Sequence, residues 1–420
     1  MKREPRAPGG AGARRALLKG GLGLAFAVAL PRSGRAGEPA HDITADQDFD
    51  ELWDTLRQRY CFFDAKRTDW NRVRALYRPQ AIAAETLDDF GAVVGRVLGE
   101  LYDAHTHLSD PPDGSRRWPL YDLLAERAGN EVRIAAVQAA SAAADAGLTI
   151  GDVVTAVDGE PIERIVSDVA PKCLVAPDRE ADAWAINVAV AGRRARPRVI
   201  TVRAKSGAPR SVTLPLKQKP DAAPVESRRL EHGLGYIAIR TFADMRAVDA
   251  FEKALQELRD TRGLIIDVRG NGGGDTAVAR PVMGRFITTT MPYATMRRRE
   301  ASGPSAPWTE SVEPRGPFTY INPVVVLVDH WSASMAEGFP MGMRSIARAS
   351  IVGTPMMGLG AAVYTIRLDR TGVQAQYSGE PVYDVGGNPR WTLRPDVAVA
   401  GGADVLAAGI AALEARIRRS

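Results

Sequence analysis

The stretch from Pro323 to Glu337, P-V-V-V-L-V-D-H-W-S-A-S-M-A-E, constrains the fold most. Its β-branched run Val324 to Val328 predicts a buried strand, and a helix is expected to begin near Ala336. A serine in such a strand-to-helix turn lies beside a helix N-terminus, where backbone N–H groups favour the negative charge of an oxyanion. Serines at these turns are therefore candidate nucleophiles, although Ser-Ala-Ser is equally typical of an ordinary helix N-cap.

Strands and helices alternate on both sides of this stretch. Gly235 to Ile239 and Leu264 to Val268 are predicted strands, with a helix over Ala247 to Leu258 between them. The second strand leads into a glycine-rich turn at Gly270 to Gly274, and a hairpin is predicted over Ala362 to Tyr377. This alternation predicts an α/β core with its site at the carboxyl ends of the strands.

The 420 residues predict two or three domains. Apolar residues recur at helical spacing in residues 43–110, which predicts a small N-terminal helical region. Short strands and turns dominate residues 117–220, and the α/β core is expected over residues 228–420. The fold class is therefore predicted to be α/β and multidomain.

The N-terminus resembles a twin-arginine export signal. Arg14-Arg15 precedes an apolar run from Gly20 to Leu30 that is too short to anchor a protein in a bilayer, and small residues follow up to Ala36. The resemblance implies removal of residues 1–36 and a periplasmic or secreted protein without a stable membrane anchor. The alternative is a basic tail with a chance apolar segment.

Composition excludes several functions. The net charge of +5 is widely spread and comes partly from the arginine-rich leader, so it does not indicate nucleic-acid binding. The sequence has no Cys/His cluster with metal-ligand spacing, and no metal is predicted. Cys61 and Cys173 lie in different predicted segments, so two buried free thiols are favoured over a disulfide.

A resemblance to the PDZ-like domains of bacterial proteases is carried by Ala142 to Ile162, A-A-A-D-A-G-L-T-I-G-D-V-V-T-A-V-D-G-E-P-I. PDZ domains bind an extended peptide as an added strand at a sheet edge. The resemblance implies a polypeptide partner. Leu120 to Leu123 stands where the carboxylate-binding loop is expected but contains no glycine, which leaves recognition of chain ends open.

The core is similar to the C-terminal-processing (tail-specific) and tricorn-core serine peptidases. The motifs that carry this similarity are L-I-I-D-V-R-G-N-G-G-G, S-A-S-M-A-E, I-V-G-T-P and R-P-D-V-A-V, in that order. The resemblance implies a crotonase-like β-α superhelix with Ser334 as the nucleophile and Ser332 in the turn. It also implies an oxyanion hole made by the amide of Gly272 or Gly273 together with that of Met335, and no cofactor.

The general base departs from the commonest family pattern. Many members use a lysine in a G-x-P-x-x-G-K-G segment, but Leu359 occupies that position and no lysine follows Lys253. The tricorn-like branch uses a histidine in a D-x-H-T motif, which Asp103 to Thr106 matches. The resemblance therefore implies His105 as the base, whose ordinary pKa suits proton transfer near neutrality. His107 and His330 are weaker rivals.

Two further positions depart from the pattern. The branch has a glutamate near its final P-D motif, where this chain has Pro389-Arg390-Trp391 and no acid. Glu380 is the candidate in its place, with Asp384 as a neighbour and an ordinary surface acid as the alternative. Pro340 is expected to kink the helix that follows Ser334.

Together these features predict a serine-type endopeptidase that cleaves polypeptides through an acyl-enzyme at Ser334. One alternative is a degenerate peptidase scaffold that binds peptides without cutting them. The other is a hydrolase of non-peptide esters or amides.

Overall fold

The computed structural model describes residues 45–204, 207–216 and 223–419. The predicted export signal, residues 1–36, lies outside these ranges. Within them no helix is both long enough and apolar enough to cross a membrane.

The N-terminal region is helical, as predicted. It consists of α1 (Ala45–Arg59), α2 (Trp70–Ile82), α3 (Leu87–Gly99) and the short strand β1 (His107–Leu108). The apolar stripes pack against each other, while Asp69 and Thr86 cap α2 and α3. Their core also includes Ile366 and Tyr377, which come from a hairpin near the C-terminus. The helical region therefore shares its core with the end of the chain.

The middle segment forms its own sheet and core. Its elements are β2 (Leu123–Ala128), β3 (Glu131–Val137), α4 (Ala142–Asp145), β4 (Val153–Val157), β5 (Glu160–Pro161), α5 (Ile162–Val169), α6 (Arg179–Ala191), β6 (Arg198–Arg203) and β7 (Pro209–Leu214). The sheet order is β2-β3-β4-β6-β7, with β5 paired to β4. Strand β2 lies at the edge, and α6 packs beside it. The predicted helix, glycine cap and strand of a PDZ-like domain are all present.

The rest of the chain contains β8 (Val225–Arg229), β9 (Leu234–Ile239), α7 (Arg246–Glu257), β10 (Gly263–Asp267), α8 (Thr276–Met283), β11 (Met291–Met296), β12 (Arg299–Glu300), β13 (Gly303–Pro304), β14 (Trp308–Val312), β15 (Val324–Val328), α9 (Met335–Ser345), β16 (Ala349–Gly353), β17 (Ala361–Arg367), β18 (Gln374–Tyr383), β19 (Val397–Ala398) and α10 (Val405–Ile417).

The central sheet has the order β19-β16-β15-β10-β9-β8 and is parallel except where β8 joins β9. Helices α7, α8 and α9 cover one face, and α10 covers the other. Strand β15 is buried on both faces, which explains its unbroken apolar run. The predicted α/β class is confirmed.

A second sheet contains strands of both the N-terminal region and the core. Strand β18 pairs with β1, β11 and β17, so it joins the N-terminal region to the core. The predicted hairpin is β17 and β18. It brings the segment around residue 105 to the carboxyl ends of the central strands, although the two are far apart in sequence.

Candidate active site

The two serines that follow β15 have different environments. The Ser332 hydroxyl is buried; it donates to the carbonyl of Val268 at 2.9 Å and accepts from the amide of Asp329 at 3.0 Å. Ser332 therefore closes the turn. Ser334 is partly exposed and lines a cavity of about 510 Å³.

Ser334 stands at the N-cap of α9 with φ 53° and ψ −114°. Residues other than glycine rarely adopt a positive φ, so the backbone at Ser334 is strained, as is common at functional sites. Its amide donates to the carboxylate of Glu337 at 2.9 Å. Helix α9 is continuous from Met335 to Ser345, with Pro340 in its interior. The buried packing of α9 offsets the one hydrogen bond that proline removes.

The glycine-rich turn after β10 lies against the Ser334 turn. Gly273 has φ +96°, and a Cβ there would approach the Ala333 carbonyl to 2.6 Å and the Ser334 Cβ to 2.8 Å, so only glycine fits. The Gly273 amide donates to Asn271 Oδ1 at 2.8 Å. The amides of Gly272 and Met335 have no hydrogen-bond partner among the described residues. Of the two alternatives predicted at the glycine turn, Gly272 therefore has the available donor.

The cavity at Ser334 lies where the three parts of the chain meet. Its walls are mostly apolar and come from the segment after α3, the loop before β2, and the core. His105, Gly272, Ser334 and Met335 all line it. The structure thus brings to one cavity the predicted nucleophile, the predicted base and two amides that have no partner in the described part of the chain.

His105 is buried and held through its backbone. Its amide donates to Asp103 Oδ1 at 2.9 Å, and its carbonyl accepts from Gln376 Nε2 at 3.0 Å. Asp103 Oδ2 also accepts the Ser378 hydroxyl at 2.7 Å, which ties this loop to β18. The imidazole Nδ1 is buried without a hydrogen-bond partner, and no hydrogen bond joins the ring to Ser334 within the described ranges.

Burial lowers the pKa of His105 to about 4. The carboxylate of Asp103 opposes this shift, whereas the nearby charges of Arg390 and His107 add to it. Since the pKa lies well below neutrality, the imidazole is neutral there and able to accept a proton. That is the protonation state that a general base requires.

The rival histidines fit less well. His107 also lines the cavity, but its ring stacks on Trp118 with centroids 3.5 Å apart and its Nδ1 lies 2.9 Å from the Leu108 carbonyl. His330 is not among the residues that line the cavity at Ser334; it borders a neighbouring cavity of about 460 Å³.

The structure does not bring Glu380 to His105. The carboxylate of Glu380 accepts hydrogen bonds from Arg298 and from the Tyr364 hydroxyl, and Glu380 does not line the cavity. A β-bulge explains this placement: Ser378 pairs with Val363 and Glu380 with Ala362, so the two side chains point to opposite faces of the sheet. Ser378 faces the His105 loop, and Glu380 faces away from it.

Two charged residues that the sequence reading missed support the site. Glu337 is buried and accepts from the amides of Ser334, Gly358 and Leu359 at 2.9, 2.6 and 2.8 Å. Burial raises the pKa of Glu337 to about 7, against the effect of Arg390 and these amides. Arg390 donates to the carbonyls of Leu359 and Ala361. The two side chains therefore hold the segment in which Leu359 replaces the family's lysine.

A signal for Glu337 was present in the sequence, because Ser334 and Glu337 have the S-x-x-E spacing of a capping box. No comparable pattern marked Arg390, whose burial depends on contacts between distant segments.

Comparison with known families gives three matches. Residues 233–399 match peptidase family S41, residues 44–99 match the tricorn protease C1 domain, and residues 133–172 match the PDZ domain. The three segments follow the chain in the order of the helical region, the PDZ-like sheet and the core.

Individual proteins agree with these matches. The carboxy-terminal processing protease CtpB of Bacillus subtilis is 34% identical over 131 residues, which cover 31% of this chain and 26% of that protein. The alignment therefore spans about a quarter of that relative's length. The chloroplastic C-terminal processing peptidase of Tetradesmus obliquus is 24% identical over 396 residues, covering 86% of this chain and 80% of that protein.

Solved structures share the fold. Mature CPAF in complex with lactacystin superposes with a TM-score of 0.60 at 14% identity, covering 89% of this chain and 97% of that chain. The photosystem II D1 C-terminal processing protease gives 0.56 at 20% identity, covering 87% and 96%. At such identities the likeness concerns the fold alone.

Proposed function

We propose that the chain is a serine peptidase of family S41, whose model matches residues 233–399, and that it hydrolyses polypeptides through an acyl-enzyme at Ser334 with His105 as general base. One observation carries the proposal. The strained Ser334 opens into a cavity that also holds the neutral imidazole of His105 and two backbone amides; its Nδ1 and both amides have no partner among the described residues. An acyl-transfer site needs these three components.

The reaction follows from this arrangement. His105 takes the hydroxyl proton as Ser334 Oγ attacks the scissile carbonyl carbon, and the N–H groups of Gly272 and Met335 receive the oxyanion. When the C–N bond breaks, the imidazolium returns its proton to the leaving amine. A water molecule, deprotonated by His105, then attacks the acyl carbon, and the bond to Ser334 Oγ breaks as Oγ takes the proton back from the imidazolium.

An acid that stabilises the imidazolium is also part of the proposal. Glu380 was the candidate from sequence, but its bonds to Arg298 and Tyr364 support a structural role. Asp103 holds the backbone of His105 and raises the imidazole pKa through its charge. We therefore assign the electrostatic support to Asp103.

The polypeptide substrate and the cellular location complete the proposal. The loop before β2 contributes Trp118, Leu120 and Tyr121 to the cavity wall, which supports a part for the PDZ-like domain in presenting the substrate. The twin-arginine pattern at Arg14-Arg15 supports export to the periplasm or the medium.

A second candidate is a peptide-binding protein without hydrolytic activity. Two observations favour it: His105 Nδ1 has no acid partner, and no hydrogen bond joins His105 to Ser334 within the described residues. Catalytic hydrogen bonds are often formed only in the substrate complex, so these observations do not exclude an active enzyme.

A fluorophosphonate probe distinguishes the two candidates, because it reacts only with an activated serine. We expect labelling of the wild-type protein and its loss in Ser334→Ala. The matched control is Ser167→Ala, which removes an exposed hydroxyl from α5 outside the cavity and should leave labelling in place. Wild-type protein that is folded but unlabelled would instead support the binding protein.

A further inference from the structure

Two arginine-rich segments of the PDZ-like domain pair with each other beside the loop that leads into β2. Residues 114–118 read G-S-R-R-W, and residues 192–198 read G-R-R-A-R-P-R. Backbone hydrogen bonds of 2.8 and 2.9 Å hold the segments together, and Arg116 lies directly opposite Arg193 in the antiparallel pairing. The two paired segments form what we call the basic ribbon.

The buried arginines of the basic ribbon have structural partners. Arg117 donates to the carbonyls of Ala191 and Arg196, at 2.8 and 2.9 Å. Arg198 donates to the Ala191 carbonyl at 2.8 Å and forms an ion pair with Asp122. Contacts within the domain therefore account for both of these side chains.

The other four arginines of the basic ribbon lack a carboxylate partner. They are partly or fully exposed, and none makes an ion pair with a residue that the structure describes: Arg116, Arg193, Arg194 and Arg196. Arg193 Nη1 donates to the carbonyl of Gly114 at 3.0 Å, which is a neutral acceptor.

The pairing of Arg116 with Arg193 is unfavourable. Like charges directly opposite each other on paired strands destabilise the pairing. Burial, and then the charge of Arg193, lower the pKa of Arg116. Three carboxylates oppose this shift from beyond ion-pair distance: Glu160, Asp158 and Asp168. An anionic ligand would relieve the repulsion.

Trp118 connects the basic ribbon to the cavity at Ser334. Its ring lines the cavity and stacks on the ring of His107, with centroids 3.5 Å apart. The guanidinium carbon of Arg194 lies 4.8 Å from the centroid of the Trp118 ring. Burial lowers the pKa of His107, and the charge of Arg194 adds to that effect. The positive charge of the ribbon therefore lies next to the cavity wall.

A polypeptide in the cavity reaches the basic ribbon within a few residues. An extended chain advances about 3.3 Å per residue, so about two residues cover the distance from Trp118 to Arg194. About four further residues match the length of residues 193–196. The segment of the polypeptide that follows the cavity wall past Trp118 would therefore lie along the exposed arginines.

We propose that the basic ribbon binds acidic side chains of the polypeptide whose scissile bond lies in the cavity, in a segment that begins a few residues from that bond. Guanidinium groups form charge-assisted hydrogen bonds with carboxylates. A polypeptide is favoured over a membrane surface because Trp118 belongs to both the ribbon and the cavity wall. This inference rests on the proposed peptidase function and adds a preference for substrates with an acidic segment.

Matched peptides test this preference. Each probe is an N-terminally fluorescein-labelled, C-terminally amidated peptide with an apolar centre and a five-residue flank on either side. One flank, the other or neither contains four Glu, and Gln replaces Glu elsewhere. Because the chain end is an amide, the peptides differ only in side-chain charge. Hydrolysis by the wild-type protein is followed by mass spectrometry, and binding to Ser334→Ala by fluorescence anisotropy.

We expect Glu in one of the flanks to raise both affinity and kcat/KM roughly tenfold over Gln, mainly through KM. Each exposed ion pair contributes a factor of about two to five, and several form together. Raising the ionic strength from about 0.05 M to about 0.5 M should remove most of the difference, because salt screens exposed charges.

Variants separate recognition from structural support. In a triple variant of the basic ribbon the ratio between Glu and Gln peptides should fall to about one; it combines Arg193→Gln, Arg194→Gln and Arg196→Gln. Arg→Lys at the same three positions keeps the charge and should retain most of the ratio. A purely structural role would lower turnover of both peptides and leave their ratio unchanged, which would contradict the inference.

The matched control removes the same charge from exposed positions of the core outside the cavity. It combines Arg228→Gln, Arg259→Gln and Arg262→Gln. The ratio between Glu and Gln peptides should remain at its wild-type value there. An equal loss of the ratio in both triple variants would show that net charge, rather than the ribbon, sets the preference, and would overturn the inference.

The peptidase function and the inference fail in different ways. Hydrolysis without a preference for Glu overturns the inference and leaves the peptidase function intact. Selective binding of Glu peptides to Ser334→Ala without hydrolysis by the wild type keeps the inference and overturns the peptidase function, and the absence of both overturns both. Ribbon-dependent co-sedimentation with phosphatidylglycerol vesicles, without a preference for Glu peptides, would assign the ribbon to a membrane surface and overturn the inference.

Discussion

The edge of the PDZ-like sheet and the cavity at Ser334 are two places where a peptide backbone would be received, and they differ in how their polar groups are occupied. At the sheet edge, the side-chain amide of Asn187 in α6 accepts from the Ala125 amide at 2.9 Å and donates to the Ala125 carbonyl at 3.0 Å. Asn187 is buried there. It thus takes the two backbone groups that a strand-adding peptide would use.

The cavity at Ser334 has the opposite character. The amides of Gly272 and Met335, the imidazole Nδ1 of His105 and Arg390 Nη1 all lack partners among the described residues. A buried polar group without a partner costs free energy, which a ligand recovers when it binds. The cavity therefore offers polar groups that lack partners among the described residues, whereas the backbone groups of Ala125 at the PDZ-like edge are already bonded to Asn187.

The largest effect is expected at His105, on the cavity side. Because the imidazole transfers the proton in both steps of the proposed reaction, His105→Ala should lower kcat/KM roughly 10²- to 10⁴-fold. Steady-state kinetics on a peptide substrate measures this, and fluorophosphonate labelling should slow in parallel. His330→Ala is the matched control, since His330 is the neighbouring histidine outside the cavity. A larger loss in His330→Ala than in His105→Ala would show that the base is misassigned.

Glu337→Gln tests whether the Glu337 carboxylate keeps Ser334 and the Leu359 segment in place. The carboxylate accepts three backbone N–H groups, and the amide of glutamine would oppose at least one of them. We expect kcat to fall roughly ten- to hundredfold, with a smaller change in KM, because Ser334 and the Leu359 segment shift. Glu163→Gln, on the surface of the PDZ-like domain, is the control. An unchanged kcat would remove Glu337 from the account.

These cavity residues illustrate how far sequence reasoning reaches. Strand β15 and the Ser334 turn follow from local signals, a β-branched run and the residues after it, and both are present as predicted. The position of His105 came from motif resemblance, because its distance from Ser334 in the chain leaves no local signal. The bulge at Gly379 that turns Glu380 away depends on pairing between β17 and β18, which periodicity does not reveal.

The shared core of the N-terminal helices and the β17–β18 hairpin was also beyond a local reading. The stripes of α1 and α3 predicted that their apolar faces would be buried, but they did not identify the partner. The burial of Arg390 was not predictable from local sequence either, since a charged residue is expected at the surface unless its contacts are known.

At the edge of the PDZ-like sheet we expect a smaller effect, which concerns stability rather than catalysis. Asn187→Ala leaves the amide and carbonyl of Ala125 unpaired, which should lower the free energy of unfolding by about 1–3 kcal/mol. Turnover of a short peptide should change less than about threefold. Chemical denaturation measures the first quantity and steady-state kinetics the second.

The same variant also opens the edge. Asn187→Ala labelled at Ser334 with the fluorophosphonate should bind an extended peptide that the labelled wild-type protein does not bind. The control is Asn322→Ala, which removes a side-chain amide from the core rather than from the PDZ-like domain. Equal binding of the peptide to the labelled wild type would show that Asn187 does not close the edge.

The smallest effect concerns pH. Because burial lowers the pKa of His105 from 6.5 to about 4, the base form persists as the pH falls below neutrality. We expect kcat/KM to stay nearly constant between pH 7 and about 5 and to fall near pH 4. The unfolded chain binds this proton at higher pH, so the His105 contribution destabilises the fold as the pH drops from 6.5 towards 4. An acidic limb at 6.5 would indicate a solvated imidazole in the working enzyme.

The most direct test of the central claim is a crystal structure of the fluorophosphonate adduct. We expect phosphorus bonded to Ser334 Oγ, a phosphoryl oxygen within hydrogen-bond distance of the Gly272 and Met335 amides, and the His105 ring within reach of the adduct. An adduct on another residue would contradict it. So would an adduct on Ser334 whose oxygen points away from both amides while His105 remains out of reach.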